Sequence, residues 1–350
     1  MKKFLALLLA LTMALALVAC GGGNDSSNTA TSGGDSESGF EPMTWKFACS
    51  ATETSPWVDG AKEFARIVGE KTGGAITVQY YPADQLTAGS QTDGIQALMD
   101  GTTEISMHSN LIWSSFDQRF NVVSLPFLFD SVEEADAALD GAGGEALGEI
   151  LENEYNVHLL GIAENGFRHI TNSKHAIQSL ADMNGLKIRV AGSQVLNRAY
   201  QLWGADYTNA NWSEVFTALQ TGTYDGQENP LPTADAASIQ EVQKYLTYWT
   251  GAYDCLFFCM NADLYNSLSP ELQAIVDEAG QEACTYEREL NRGQDQEIMD
   301  KWADAGVEVS ELSADAAAEF AEASAPVYDE FADELTPELI EAFTSVTQAE

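Results

Sequence analysis

Basic residues are scarce in this 350-residue chain. Lysine and arginine together number 16 against 54 aspartates and glutamates, a formal charge of −38. So acidic a chain is a poor fit to nucleic acid, whose phosphates are held by Lys and Arg, or to an anionic lipid surface. Its plain consequences are solubility and repulsion between copies. Catalytic signatures are missing as well. There is no GxSxG, no HExxH and no phosphate-cradling glycine loop. The four histidines, His108, His158, His169 and His175, are not paired at metal-ligand spacing, and no CxxC occurs. No catalytic residue, metal or cofactor is therefore expected.

What is present begins at the N-terminus. Lys2 and Lys3 precede an apolar run, Phe4 to Leu17, and then Leu17-Val18-Ala19-Cys20. A basic start, a short apolar stretch and small residues before a cleavage point are the layout of an export signal. The run falls short of the roughly 20 apolar residues of a membrane span. The tetrapeptide resembles a bacterial lipobox, which makes Cys20 the expected lipidation site. Residues 21–39 are Gly, Ser, Thr, Asn and acids. Nothing there can bury a core, so a tether reaching about 25 Å is expected. The expected address is extracytoplasmic (periplasmic, or the outer face of the cell membrane), with the membrane held by a lipid anchor alone. Loss of Lys2 and Lys3 with the leader takes the charge to −40. Of the remaining cysteines, Cys255 and Cys259 lie on a strand-like run about 13 Å apart, too far to bridge. Buried free thiols are favoured for Cys49, Cys255, Cys259 and Cys284, with one pair among them left open.

Beyond the tether, strand-like and helix-like segments alternate. Thr44–Ala48, Ile76–Tyr80 and Glu104–His108 read as strands, with helices from Pro56 to Thr72 and Asp93 to Asp100 between them. That order implies a parallel, doubly wound sheet. The pattern restarts with strands at His158–Ala163 and Leu186–Val190 and helices at Ser193–Trp203 and Asn211–Thr221, the latter with Ser213 as candidate N-cap. Val242–Tyr248 and Cys255–Met260 are further strands. From Ser269 the chain reads as helical. Two α/β halves and a helical tail suggest two lobes with a cleft between them.

The seven arginines are the informative side chains. Arg66, with Glu63 and Glu70 at helical spacing, reads as surface pairing; Arg198, Arg288 and Arg292 also lie on helices. Arg189 differs. It alternates with Ile188 and Val190, so it faces the other side of its strand, near the strand end where α/β sheets gather ligands. Arg168 follows the ENGF segment that opens the second half. At the end of the third strand, Ser109, Asn110 and Trp113 occupy the equivalent place, with Thr52, Glu53 and Trp57 weaker candidates.

The stretches ENGFRHITNSKHAI, LADMNGLKIRV and SEVFTALQTGTYDGQENP resemble the solute-binding subunit of tripartite ATP-independent periplasmic (TRAP) transporters. SLPFLF and EVQKYLT add to the likeness, which runs from residue 44 to about 300. The resemblance implies an α/β, periplasmic-binding-protein-like fold. Each of two lobes is a sheet flanked by helices, with a ligand cleft between them and a long bridging helix near the C-terminus. The expected divisions are signal 1–19, lipidated Cys and tether 20–43, lobe I from 44–165 and 255–294, and lobe II from 166–254 and 295–350. The resemblance further implies that Arg189 pairs with a ligand carboxylate. Arg168 would supply a second charged contact, Asn229 of QENP a hydrogen bond, and Trp212, just before SEV, a stacking surface. The implied ligand is a small organic acid, a C4-dicarboxylate or a sugar acid, delivered to TRAP membrane subunits. An ABC importer or a sensor system is the alternative partner, and an extracellular lyase or hydrolase the enzyme alternative. Distant surface acids are screened beyond about 8 Å, so a locally positive cleft is expected inside the acidic shell.

Overall fold

The computed structural model describes residues 39–347. The leader, Cys20 and all but the last residues of the tether lie outside them. Among the described residues, eleven strands form two sheets. The first contains β1 (Met43–Cys49), β2 (Ile76–Tyr81), β3 (Ile105–Ser109), β4 (Val157–Phe167) and β10 (Tyr253–Asn261), in the order β2-β1-β3-β10-β4. The second contains β5 (His169–Asn172), β6 (Lys187–Val190), β7 (Asp206–Asn209), β8 (Gly226–Asn229), β9 (Tyr245–Tyr248) and β11 (Glu308–Glu311), in the order β11-β9-β5-β8-β6-β7. As the alternating pattern implied, β1, β2 and β3 are parallel. The sheet as a whole is mixed, because β10 enters it antiparallel between β3 and β4.

The chain crosses between the sheets at three places. β4 ends at Phe167 and β5 begins at His169, so Arg168 alone separates a strand of one sheet from a strand of the other. β9 and β10 cross back, and Arg168 N–H donates to the Ala252 carbonyl on that return (2.9 Å). The third crossing is the helix Pro270–Arg292. Ser269 caps it by accepting from Leu272 N–H, Pro270 opens it, and Gly293 ends it. It packs on β4 and on the helix Pro56–Lys71, and the next helix, Asp295–Asp304, packs beside β11 of the second sheet. Gly280 allows the close approach: a Cβ there would lie 2.7 Å from the Leu160 Cβ.

The first sheet buries Phe47, Phe258 and Phe64 of the Pro56–Lys71 helix edge to face, at 5.4 and 5.1 Å between ring centroids. The sequence places 295–350 with the second lobe, yet the last helices straddle both. Ala314–Ser324 packs on the helix Gln194–Leu202, whereas Pro337–Thr347 packs on the helices Val132–Leu139 and Ala142–Glu154. The four cysteines of the described chain are buried free thiols. No helix among the described residues is long and apolar enough to cross a membrane.

Candidate functional site

Where the two sheets face each other, a cavity of about 30 Å³ remains. That is space for a water or two, so an acid entering it needs the walls to part. Ser109, Arg168, Arg189, Trp212 and Asn229 line it together. β6 places Arg189 there by simple alternation. Ile188 and Val190 are buried in the main apolar cluster, and the guanidinium emerges on the opposite face. β8 runs beside β6 and ends at Asn229, the residue before Pro230.

The two arginines are in opposite electrostatic situations. Arg168 is saturated. Its guanidinium pairs with both the Glu228 and the Asp254 carboxylates and also donates to the Glu228 carbonyl (2.8 Å) and to Asn229 Oδ1 (3.1 Å). Burial acts to depress its pKa, but the two carboxylates outweigh burial and raise it. Asp254 also accepts from Ser109 Oγ and Asn165 Nδ2, both at 2.7 Å. Burial pushes that carboxyl upward, and these donors oppose the rise. Three donors on one carboxyl group favour its ionised form.

Arg189 is 2% exposed and is not paired with a carboxylate among the described residues. Nε and Nη2 both donate to a single acceptor, the Ala210 carbonyl, at 3.0 and 2.7 Å. Its carbon Cζ lies 5.6 Å from the centroid of the Trp212 ring, a cation–π contact. Burial pulls its pKa down to about 10. The other six arginines all have carboxylate partners: Arg66 with Glu63 and Glu70, Arg119 with Asp117 and Glu154, Arg198 with Glu330, Arg288 with Asp140, Arg292 with Asp136 and Glu164, and Arg168 as above. The expected positive cleft is therefore corrected. Arg168, Arg189, Glu228 and Asp254 sum to zero: the two acids outweigh Arg168 by one charge and Arg189 balances it, although Arg189 itself contacts neither carboxylate.

Two of the seven candidates are elsewhere. Asn110 donates to the Phe120 carbonyl (2.9 Å) and Ser124 Oγ (3.0 Å) and accepts from Cys255 N–H (3.0 Å), pinning β10 to the Gln118–Ser124 turn. Trp113 is fully buried among Phe116, Phe120, Tyr155 and Phe257. The reason is local. β3 runs directly into a single helical turn, Asn110–Trp113. Residues three apart share a face of such a turn. Ser109 and Ile112 meet the cavity, while Asn110 and Trp113 turn into the core. Ser213 is not the cap either; Asn211 stands at that position, and Ser213 Oγ donates to the Gly89 carbonyl of the first lobe (3.1 Å).

Sequence reasoning missed Ser50, Gln91, Asn165 and Thr233, which also line the cavity, and the two acids. Asp254 had a visible signal: a lone acid at the head of the apolar run CLFFC. Contacts across the cleft hold the two walls together. Trp212 N–H donates to Gln91 Oε1 (3.0 Å), and Thr52 Oγ1 donates to the Ala236 carbonyl (3.1 Å).

Two sheets, crossing strands, a bridging helix and a buried, arginine-lined cavity between the halves find their match among known proteins. Residues 47–335 match the bacterial extracellular solute-binding proteins of family 7. The chain belongs to this family. It is a TRAP-type solute-binding protein, as the motifs around Arg168, Arg189 and Asn229 implied. It is 32% identical over 274 residues to the 2,3-diketo-L-gulonate-binding periplasmic protein of Escherichia coli K12, covering 78% of this chain and 83% of that one. Among solved structures, it is similar to the sugar acid binding protein of Advenella mimigardefordensis in complex with galactonate. That match has 30% identity and a TM-score of 0.84, over 88% of this chain and 98% of the other. It is also similar to a TRAP periplasmic solute-binding protein of Sulfurospirillum deleyianum with bound succinate, with 27% identity and a TM-score of 0.82, over 89% of this chain and 100% of the other. These relatives are solute-binding proteins, which supports a binding role over an enzymatic one.

Proposed function

We propose that this chain is an extracytoplasmic receptor for a small organic acid, whose carboxylate it receives on Arg189. The unpaired guanidinium carries this reading. A buried, charged group held by one carbonyl and one ring lacks an anion, and its planar fork of donors fits a carboxylate. Asn229 lines the same cavity, Trp212 covers the guanidinium, and Arg168 fixes the wall from which Asn229 acts. Relatives named for diketogulonate, galactonate and succinate support an acid as the ligand class. In this reading lobe I comprises 44–165 and 255–294, and lobe II 166–254 with at least the start of 295–350. The lobes close on the acid, and the closed form docks on TRAP membrane subunits. Cys20, in its lipobox-like setting, carries the lipid that keeps the receptor at the membrane.

A thermal-shift and calorimetric screen of organic acids tests the site. Binding by the native chain and its loss in Arg189→Ala are expected; near-native affinity in that variant would remove the carboxylate role of Arg189. Labelling with a fatty-acid analogue tests the anchor, with incorporation expected in the native chain and none in Cys20→Ala.

A further inference from the structure

We infer that the ligand carries one carboxylate only, and that its far end is a hydroxyl or carbonyl oxygen received by Ser50 and Trp57 of the first lobe. This rests on the reading of Arg189 as the carboxylate receptor. Two observations carry it. The first is charge. The cavity lining contains no cation besides Arg168 and Arg189 among the described residues. Arg168 is already committed to Glu228 and Asp254. One carboxylate on Arg189 pairs the one guanidinium of the lining that lacks an ion partner. A second carboxylate would meet neutral groups, two buried acids nearby and no counter-charge, and a buried, unpaired charge is strongly disfavoured.

The second observation is a pair of orphaned polar atoms. Ser50 and Trp57 are each 4% exposed and line the cavity from the β1 end and the Pro56–Lys71 helix, whereas Arg189 comes from β6 of the other sheet. Neither Ser50 Oγ nor Trp57 Nε1 has a hydrogen-bond partner in the folded chain. Trp45 and Trp113 also have unpartnered indole N–H groups, but away from this cavity. A buried donor without a partner is costly, and at a cavity wall a ligand oxygen removes that cost. The indole N–H only donates and the serine hydroxyl donates or accepts. Together they suit an uncharged hydroxyl or carbonyl. Discrimination then follows from unpaired buried polar groups, the effective way for a site to reject an analogue.

Two matched pairs of acids read this directly on the purified full-length protein. D-Erythronate and meso-tartrate differ only in the oxidation of the terminal carbinol to a carboxylate, and galactonate and galactarate differ in the same way. In calorimetric titration the monocarboxylate of a pair is expected to bind at least 100-fold tighter than its dicarboxylate. Trp57→Phe, which keeps the ring and loses the N–H, and Ser50→Ala are each expected to weaken the hydroxylated acid three- to tenfold. The same variants should leave 2,3-dihydroxybutanoate, which lacks the terminal hydroxyl, unchanged against erythronate's loss. A merely structural role for either side chain would weaken both ligands alike and would overturn the assignment. Binding of meso-tartrate, galactarate or succinate as tightly as the monocarboxylates, lost in Arg189→Ala, would overturn this inference while the receptor reading stands. Failure of every acid to bind would sink both.

Discussion

Replacing each buried arginine with methionine separates their two roles, because the fold treats the two charges in opposite ways. The lowering of the Arg189 pKa to about 10 by burial means that the protein disfavours its charged form by about 3 kcal/mol. Arg189→Met removes that burden. It also deprives the Ala210 carbonyl of its two donors, which costs about 1–3 kcal/mol. The ligand-free variant should therefore be as stable as the native chain or more stable by up to about 2 kcal/mol. Its affinity for the acid should fall by about 3–5 kcal/mol, the cost of removing one partner from a buried charge pair, or roughly two to three and a half decades in Kd. Arg168→Met does the reverse to stability. It strands the Glu228 and Asp254 carboxylates in the interior and should destabilise by about 3–5 kcal/mol. Urea unfolding of the ligand-free proteins gives one axis and titration calorimetry the other. If Arg189→Met lost as much stability as Arg168→Met, Arg189 would be a structural ion like its neighbour, and the carboxylate role would fall.

Three further outcomes are expected. Gly89 has φ +86°, and a Cβ there would lie 2.6 Å from Ser213 Oγ across the cleft; Gly89→Ala should weaken ligand binding about tenfold while unfolding free energy drops by only about 1 kcal/mol, and unaltered affinity would dismiss this contact as part of closure. Burial lowers the His169 pKa to about 3 against 6.5 when unfolded, so the unfolded chain binds the extra proton between those values and stability falls as pH drops below 6.5, by up to about 1.4 kcal/mol per pH unit; the native chain should lose stability in that window faster than His169→Gln, and parallel curves would refute the assignment. Trp113→Ala should cost about 3–5 kcal/mol of stability and leave the affinity of the folded protein unchanged, a result that a direct ligand contact would contradict.

The alternating pattern located β1 to β3, the helix Pro56–Lys71 and the long helix after Ser269, because apolar periodicity and end signals act within one segment. β7, β8 and β11 escaped it. They are four residues each, and β7 and β11 are largely exposed, so they carry no apolar run to read. Arg189 was legible for the same local reason: its neighbours Ile188 and Val190 fix which face it takes. What was not legible is the state of its charge. That Arg168 is neutralised and Arg189 is not depends on Glu228 and Asp254, which lie 60 and 86 positions from Arg168. Spacing within a strand cannot report a pairing set by three chain crossings. Asn110 and Trp113 failed differently. Their place at a strand end says nothing of orientation, and the single helical turn Asn110–Trp113 decides which of its residues face the cavity.

The position of the Ala210 carbonyl links ligand charge to closure. Arg189 spends two of its donors on that carbonyl, and the next two residues, Asn211 and Trp212, both meet Gln91 of the opposite lobe. Ser213 follows and holds Gly89. Four consecutive residues thus run from the unpaired cation to the cross-cleft contacts. A carboxylate drawing the guanidinium towards itself acts on the segment that joins the lobes, and the same segment supplies the ring that covers Arg189. An acidic molecule can afford such a site because its surface charge is screened within about a Debye length, while the four buried charges around the cavity cancel. Specificity for an anion then comes from one cation left without a partner, placed where closing the lobes and satisfying that cation require the same movement.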